Sequence, residues 1–242
     1  MDLNDPRLVA SEYGDERRLA VRRRVWNDFL EGPSSDDETL AAVVEVSPSR
    51  VLEAGAGWGE LSARIAEATD AGVTAFDLSP RMAALARERG VRALVADLQA
   101  LPFRDRTFDV VVANAMLYHV PDLDRGVREA ARVLTDEGRF VATTFGEGHT
   151  AEIWEMVGGP QAELAFSVES GAAILDRSFE RVERREGERA LTFPNADEVR
   201  TYIASTITRS RFADRVPDVE GPIVTRAHFA VFVAEGPRRD AA

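Results

Sequence analysis

Apolar residues in the first 31 positions fall into a stripe of helical spacing, Leu19, Val21, Val25, Trp26, Phe29 and Leu30, with arginines filling the other faces. Gly32–Pro33–Ser34–Ser35–Asp36–Asp37 breaks the stripe, and a second helix is predicted over about 38–46, ended by Ser47–Pro48–Ser49. From Arg50 the rhythm changes. Short apolar runs now alternate with amphipathic stretches, which is the pattern of successive βα units feeding a parallel sheet.

The first run is Val51–Leu52–Glu53–Ala54, followed by a crossover helix from Glu60 to Ala68. Gly72–Val73–Thr74–Ala75–Phe76–Asp77 reads as a second strand, and its helix opens with Ser79 as N-cap and Pro80 in the first turn. Strands are expected at 91–96 and 108–113, a long amphipathic helix from Pro121–Asp122 to about Leu134, and a fifth strand at 138–144. Segment 147–178 reads as helical or irregular, then a strand at 179–186, a helix at 196–209 and a last apolar run at 229–233. The expected fold is therefore α/β: a doubly wound, Rossmann-like, mostly parallel seven-stranded sheet with an antiparallel last strand. Residues 1–49 are expected to form an N-terminal helical cap or lid, and 50–242 the core. The tail after Gly236 should fray.

At 242 residues the length suits one such domain, and 45% hydrophobic with 30% charged residues is an ordinary globular balance. The formal charge of −12 disfavours nucleic acid as a partner, although Arg17–Arg18 and Arg22–Arg23–Arg24 form a local basic cluster. That cluster reads either as a solvated helix face or as a phosphate-binding patch. The chain has no cysteine, which removes thiol nucleophiles and cysteine-bound zinc. No apolar run approaches the roughly 20 residues a membrane helix needs, and the amino-terminal residues lack a signal-peptide pattern, so a cytoplasmic protein is expected.

The chemistry concentrates at strand ends. Glu53–Ala54–Gly55–Ala56–Gly57–Trp58–Gly59 joins the first strand to its helix, where glycines let the backbone turn sharply and a ligand come close. Asp77 ends the second strand 22 positions beyond Gly55, placed to accept from ribose hydroxyls, and Asp97–Leu98 follows the third strand 20 positions later. A nicotinamide dehydrogenase would also use a glycine loop and an acidic residue. Here the third glycine of the dinucleotide spacing is missing, and Trp58 would crowd a diphosphate.

Over about residues 50–145 the chain resembles the class I S-adenosylmethionine-dependent methyltransferases, in particular the small-molecule and ubiquinone-biosynthesis type. The resemblance rests on the glycine block together with Phe76–Asp77–Leu78–Ser79–Pro80–Arg81–Met82, Ala96–Asp97–Leu98–Gln99–Ala100–Leu101–Pro102–Phe103 and Phe108–Asp109–Val110–Val111–Val112. Leu117–Tyr118–His119–Val120, Glu129–Ala130–Ala131–Arg132–Val133–Leu134 and Gly138–Arg139–Phe140 continue it.

That resemblance implies S-adenosyl-L-methionine as cofactor and S-adenosyl-L-homocysteine as product. Glu53, Gly55, Ala56 and Gly57 would hold the methionine portion, Asp77 with Leu78 the ribose, Asp97 and Leu98 the adenine. Asn114 would approach the methionyl ammonium through its own backbone, and Tyr13 or Arg17 could close over the cofactor. Segments 147–178 and 194–222 would cover a small-molecule methyl acceptor, an O or N atom attacking in line. His119 and His149 are candidate bases where the acceptor needs one, each with an alternative structural role, and His228 reads as structural. No metal is expected from three histidines lacking ligand spacing. An RNA or protein methyltransferase docking through the arginine cluster, and a non-catalytic binding module, stay open as alternatives. The protein is expected to be a monomer or homodimer.

Overall fold

The computed structural model of the chain describes Ser11, residues 16–206 and residues 208–239. Tyr13 lies outside the described residues. Helix α1 spans Glu16–Phe29 and α2 spans Ser35–Val44. The alternating units follow as β1 (Arg50–Ala54), α3 (Glu60–Ala68), β2 (Gly72–Asp77), α4 (Pro80–Glu88), β3 (Arg92–Val95), β4 (Phe108–Asn114), α5 (Leu123–Val133) and β5 (Leu134–Phe145). Two short helices, α6 (Ala151–Met156) and α7 (Gly171–Leu175), precede β6 (Phe179–Phe193). Helix α8 (Ala196–Ala204) and a 3-10 turn at Ser210–Arg215 lead to β7 (Ile223–Pro237).

The seven strands form one sheet in the order β3-β2-β1-β4-β5-β7-β6. Strands β1 to β5 pair in parallel, while β7 runs antiparallel to both β5 and β6. The expected doubly wound sheet with a reversed last strand is what forms. Its two-sided core follows from residue alternation. Val51, Val110, Val112, Val141, Val231 and Val233 face one side, where Ala42 and Val43 of α2 and Leu61 and Ile65 of α3 cover them. Leu52, Val111, Phe140 and Phe232 face the other, against Val127, Ala130 and Ala131 of α5. Each such side chain, fully buried, stabilises by roughly 1.5–3 kcal/mol before entropy is counted.

A third core lies under α1, α6 and α8, where Val25, Trp154, Phe193, Val199, Tyr202 and Ile223 meet. It exists because β6 and β7 are each 15 residues long and pair throughout, from Phe179↔Pro237 to Phe193↔Ile223. The sequence predicted only 179–186 and 229–233. Strand β6 is an edge carrying Arg184, Arg185, Glu186, Glu188 and Arg189, so its polar solvent side hid the strand period.

Two boundaries also move. Helix α2 starts at Ser35 rather than near 38, because the Ser34 side chain accepts from the Asp37 N–H and Asp37 accepts from the Ser34 N–H, a reciprocal cap. What looked like a breaker is a start signal. The helix predicted at 196–209 ends at Ala204, and Ser205 turns the chain.

Candidate active site

The sheet order reverses between β1 and β4, and the carboxyl ends of β3, β2, β1 and β4 lie side by side there. A crevice opens at such a switch point. Here it is a cavity of about 910 Å³, toward the upper end of the roughly 300–1,000 Å³ of ligand pockets. Glu53, Gly55, Ala56, Gly57, Asp77, Leu78, Asp97, Leu98 and Asn114 all line it, as do His119 and His149.

The glycine loop is held open by backbone geometry. Gly55, Gly57 and Gly59 have φ of 63°, 54° and 78°, a left-handed region costly for residues with a Cβ. A Cβ at Gly55 would also sit 2.9 Å from the Met116 Cβ. Asp77 fastens the loop from β2: its Oδ2 accepts from the Gly57 N–H at 2.9 Å and its Oδ1 from the Ser79 N–H at 2.8 Å. Burial raises its pKa against the pull of these two bonds. Asp97 accepts from both the backbone and side-chain amides of Gln99. Leu98 is buried in the α5-side core while lining the cavity, and Leu78 is exposed at its edge.

Glu53 is 3% exposed and accepts from the Ser62 hydroxyl. Burial pushes its pKa up to about 8, Ser62 opposes this, and the negative charges of Asp36 and Asp77 add to it. The carboxyl is thus mostly protonated at neutral pH, and a cation placed beside it would restore its charge.

A network the sequence did not announce closes this end. Arg23 on α1 donates to Asp36 Oδ2 at 2.6 Å and, from both Nε and Nη2, to Glu60. Asp36 in turn accepts from Asn114 Nδ2 at 2.8 Å. The Asn114 Oδ1 is buried without a hydrogen-bond partner in the protein. Leu19 of α1 lies 3.6 Å from where a Gly57 Cβ would be, so the helix sits over the loop. Two more arginines of the cluster are engaged: Arg22 donates to the Ser205 carbonyl, and Arg24 forms an exposed pair with Glu198. The signal for Arg23 was its place in the arginine cluster beside the stripe, which a solvated face shares.

His149 follows β5. Its Nδ1 is 3.0 Å from the His228 carbonyl, an oxygen that can only accept, so Nδ1 carries the proton and Nε2 the lone pair. Burial and the Arg209 charge bring its pKa down to about 4, against the opposing carbonyl bond. The ring is therefore neutral and a weak base. It packs against Phe145 and Trp26, with centroids 4.3 and 5.2 Å away. His119 ends a 3-10 turn at Leu117–His119, its ring edge-on to Tyr118 at 4.5 Å. His228 pairs with Glu186 and packs on Gly146. Among the described residues no cluster of metal-ligating side chains occurs.

Comparison with known proteins adds the decisive observation: residues 52–142 match the family model described as a methyltransferase domain. Over that segment the chain is similar to methyltransferase domains. The match begins in β1 and ends in β5, so the glycine loop, Asp77, Asp97 and Asn114 all fall inside the matched segment. A malonyl-[acyl-carrier protein] O-methyltransferase of Geobacter sulfurreducens is 37% identical over 54% of this chain and 57% of its own. A ubiquinone/menaquinone biosynthesis C-methyltransferase of Brucella anthropi is 31% identical over 57% of this chain and 55% of its own. The chain thus spans little more than half the length of these curated relatives. In fold, phosphoethanolamine N-methyltransferase 2 of Haemonchus contortus superposes with a TM-score of 0.64 at 19% identity, covering 98% of this chain and 61% of that one.

Proposed function

We propose that the protein binds S-adenosylmethionine and transfers its methyl group to an oxygen or nitrogen of a small organic molecule. The observation that carries this reading is the convergence of Glu53, the glycine loop, Asp77, Asp97 and Asn114 on one cavity. The donor set fits the cofactor. A buried carboxyl with a raised pKa and an orphaned amide oxygen suit an ammonium group, and Asp77 at a strand tip suits vicinal hydroxyls. The Arg23 guanidinium, with Asp36 and Glu60 around it, steadies the loop from above.

When bound, S-adenosylmethionine supplies a methyl on a cationic sulfur, and the carbon–sulfur electron pair stays on sulfur as the acceptor atom bonds to carbon. The protein's part is to align that acceptor and keep water out. In this reading residues 1–49 act as the cap, with Leu19, Arg22, Arg23 and Trp26 on the cavity wall, and segments 147–178 and 194–222 cover the acceptor. His149 Nε2 would accept a hydrogen bond from an acceptor O–H or N–H and so orient it, while His119 would serve as the proton acceptor where one is required. Relatives named for O- and C-transfer leave the acceptor atom to chemistry rather than to likeness. We take the protein to be cytoplasmic, a monomer or homodimer. Among the described residues no helix is long and apolar enough to cross a membrane.

Calorimetry with S-adenosylmethionine and S-adenosylhomocysteine tests the proposal. Micromolar binding by the wild type, weakened at least tenfold in Asp77→Ala, is expected. Binding of neither ligand, or equal binding by the variant, would remove its basis.

A further inference from the structure

The two ends of the cavity differ in chemistry. Acidic Asp36, Glu53, Glu60, Asp77 and Asp97 line the glycine-loop end. The other end is aromatic: Trp26, Tyr118, Phe145 and His149 all line the cavity, and each is half-buried. Their rings form one connected group. The Trp26 and Phe145 planes lie 14° apart with centroids at 6.1 Å, His149 is 5.2 and 4.3 Å from those two rings, and Tyr118 is 6.4 Å from Phe145. Rings packed together and left half open toward a cavity suit a planar body. Arg22 and Arg209 share this wall, where Arg22 donates to the Ser205 carbonyl and the Arg209 guanidinium lies 3.8 Å over the Trp154 ring.

His149 adds direction to this apolar wall. The His228 carbonyl fixes its proton on Nδ1 and leaves a lone pair on Nε2. Among the described residues that nitrogen has no hydrogen-bond partner, although Nδ1 does. Desolvation holds the ring neutral, its pKa at about 4, so Nε2 stays an acceptor at neutral pH. A lone pair set among aromatic rings gains most from an O–H or N–H brought by a ligand. We infer that the methyl acceptor is a phenol, its hydroxyl donating to His149 Nε2 and its ring lying along Trp26 and Phe145. This rests on the methyl-transfer reading of the cavity and adds the acceptor's chemical class to it. So bound, the phenol oxygen keeps a lone pair for the methyl carbon. As that bond forms and the carbon–sulfur pair moves onto sulfur, the phenolic proton passes to Nε2 and then to solvent. So weak a base suits a phenol rather than an alkanol, which holds its proton far more tightly. A carboxylate would set negative charge against the Nε2 lone pair.

The test uses the full chain saturated with S-adenosylhomocysteine and titrated with 2-naphthol, 4-phenylphenol and 4-propylphenol. Each is run beside the fluoro compound of the same skeleton, which cannot donate, and beside its ring-saturated alcohol, which is not planar. At least one phenol should bind about tenfold or more tightly than both of its counterparts. His149→Phe, which keeps a ring and removes the lone pair, should cut the preference over the fluoro compound below threefold, and His149→Gln, which offers an amide oxygen, should restore part of it. Trp26→Leu should cut the preference over the saturated alcohol. No phenol preferred over its counterparts, or a preference over the fluoro compound unchanged in His149→Phe, would overturn the inference. Should His149→Phe fail to take up S-adenosylhomocysteine, His149→Leu decides in its place. Wild-type protein that took up no S-adenosylhomocysteine would instead overturn the cofactor reading, and this inference with it.

Discussion

Glu53 makes the sharpest prediction, because its burial couples stability to pH in a direction opposite to that of most carboxylates. Its folded pKa is about 8 against 4.5 for the unfolded chain. Between those values the folded protein holds a proton that the unfolded chain has released, so unfolding gives up a proton and stability falls as pH rises. The slope approaches about 1.4 kcal/mol per pH unit, and from pH 5 to pH 7 this one group removes about 2.5 kcal/mol. Glu53→Gln is uncharged throughout and still offers an oxygen to the Ser62 hydroxyl. Urea unfolding of both proteins at pH 5 and pH 7 isolates the effect, since titrating groups remote from Glu53 cancel in the double difference. The variant should gain about 2.5 kcal/mol on wild type between the two pH values. A double difference below about 0.5 kcal/mol would show that Glu53 is ionised in the folded chain, and the account of this end of the cavity would be wrong.

The same group should report on ligand. With a pKa of about 8 it is about 90% protonated at pH 7, so S-adenosylhomocysteine binding should release about 0.9 proton if its ammonium restores the carboxylate. Calorimetry in phosphate and Tris buffers reads that number, and Glu53→Gln should release none. Asp77→Asn, which sets an amide N–H against a loop N–H, should cost about 2 kcal/mol of binding, roughly 30-fold. Gly55→Ala, forced to a φ of 63° with its Cβ 2.9 Å from Met116, should lower stability in urea by about 2 kcal/mol or more. His149, with its pKa near 4, should give an imidazole proton resonance that does not move between pH 5.5 and 8. A titration midpoint near 6.5 would show that the ring is solvated.

How much of this was legible depends on how far apart the cooperating residues lie. Glu53, Gly55, Gly57, Asp77 and Asp97 all sit at strand tips a fixed distance along successive βα units, so spacing alone placed them together. Arg23, Asp36 and Asn114 form one chain of bonds across separations of 13 and 78 positions. Nothing local distinguishes Arg23 from Arg18 on the same helix, and Asp36 looked like part of a loop because the cap residue Ser34 that starts its helix follows Gly32–Pro33. The neutral state of His149 was equally hidden. It arises from burial against Trp26 and Phe145 and from the charge of Arg209, 60 positions away, and none of these is a property of the histidine's neighbours in sequence.

The placement of β7 explains why the two ends of the cavity differ. The parallel strands β3, β2, β1 and β4 bring carboxylates to the edge because each ends at a turn into a loop or helix, where backbone N–H groups are free to fix an acidic side chain. Asp77 and Asp97 are held in that way. Strand β7 enters between β5 and β6 from the opposite direction, so its beginning, not its end, lies at the same edge. Its long pairing with β6 carries Phe193 and Ile223 into a third core that α1, α6 and α8 must cover. Those helices carry Arg22, Trp26, Trp154 and Tyr202 into the cavity, and Arg209 follows α8. A reversed strand thus replaces a tip carboxylate with a helical wall bearing arginine and aromatic side chains. Shortening the β6–β7 overhang would remove the footing of that wall while leaving the pairing of β1 to β5 untouched.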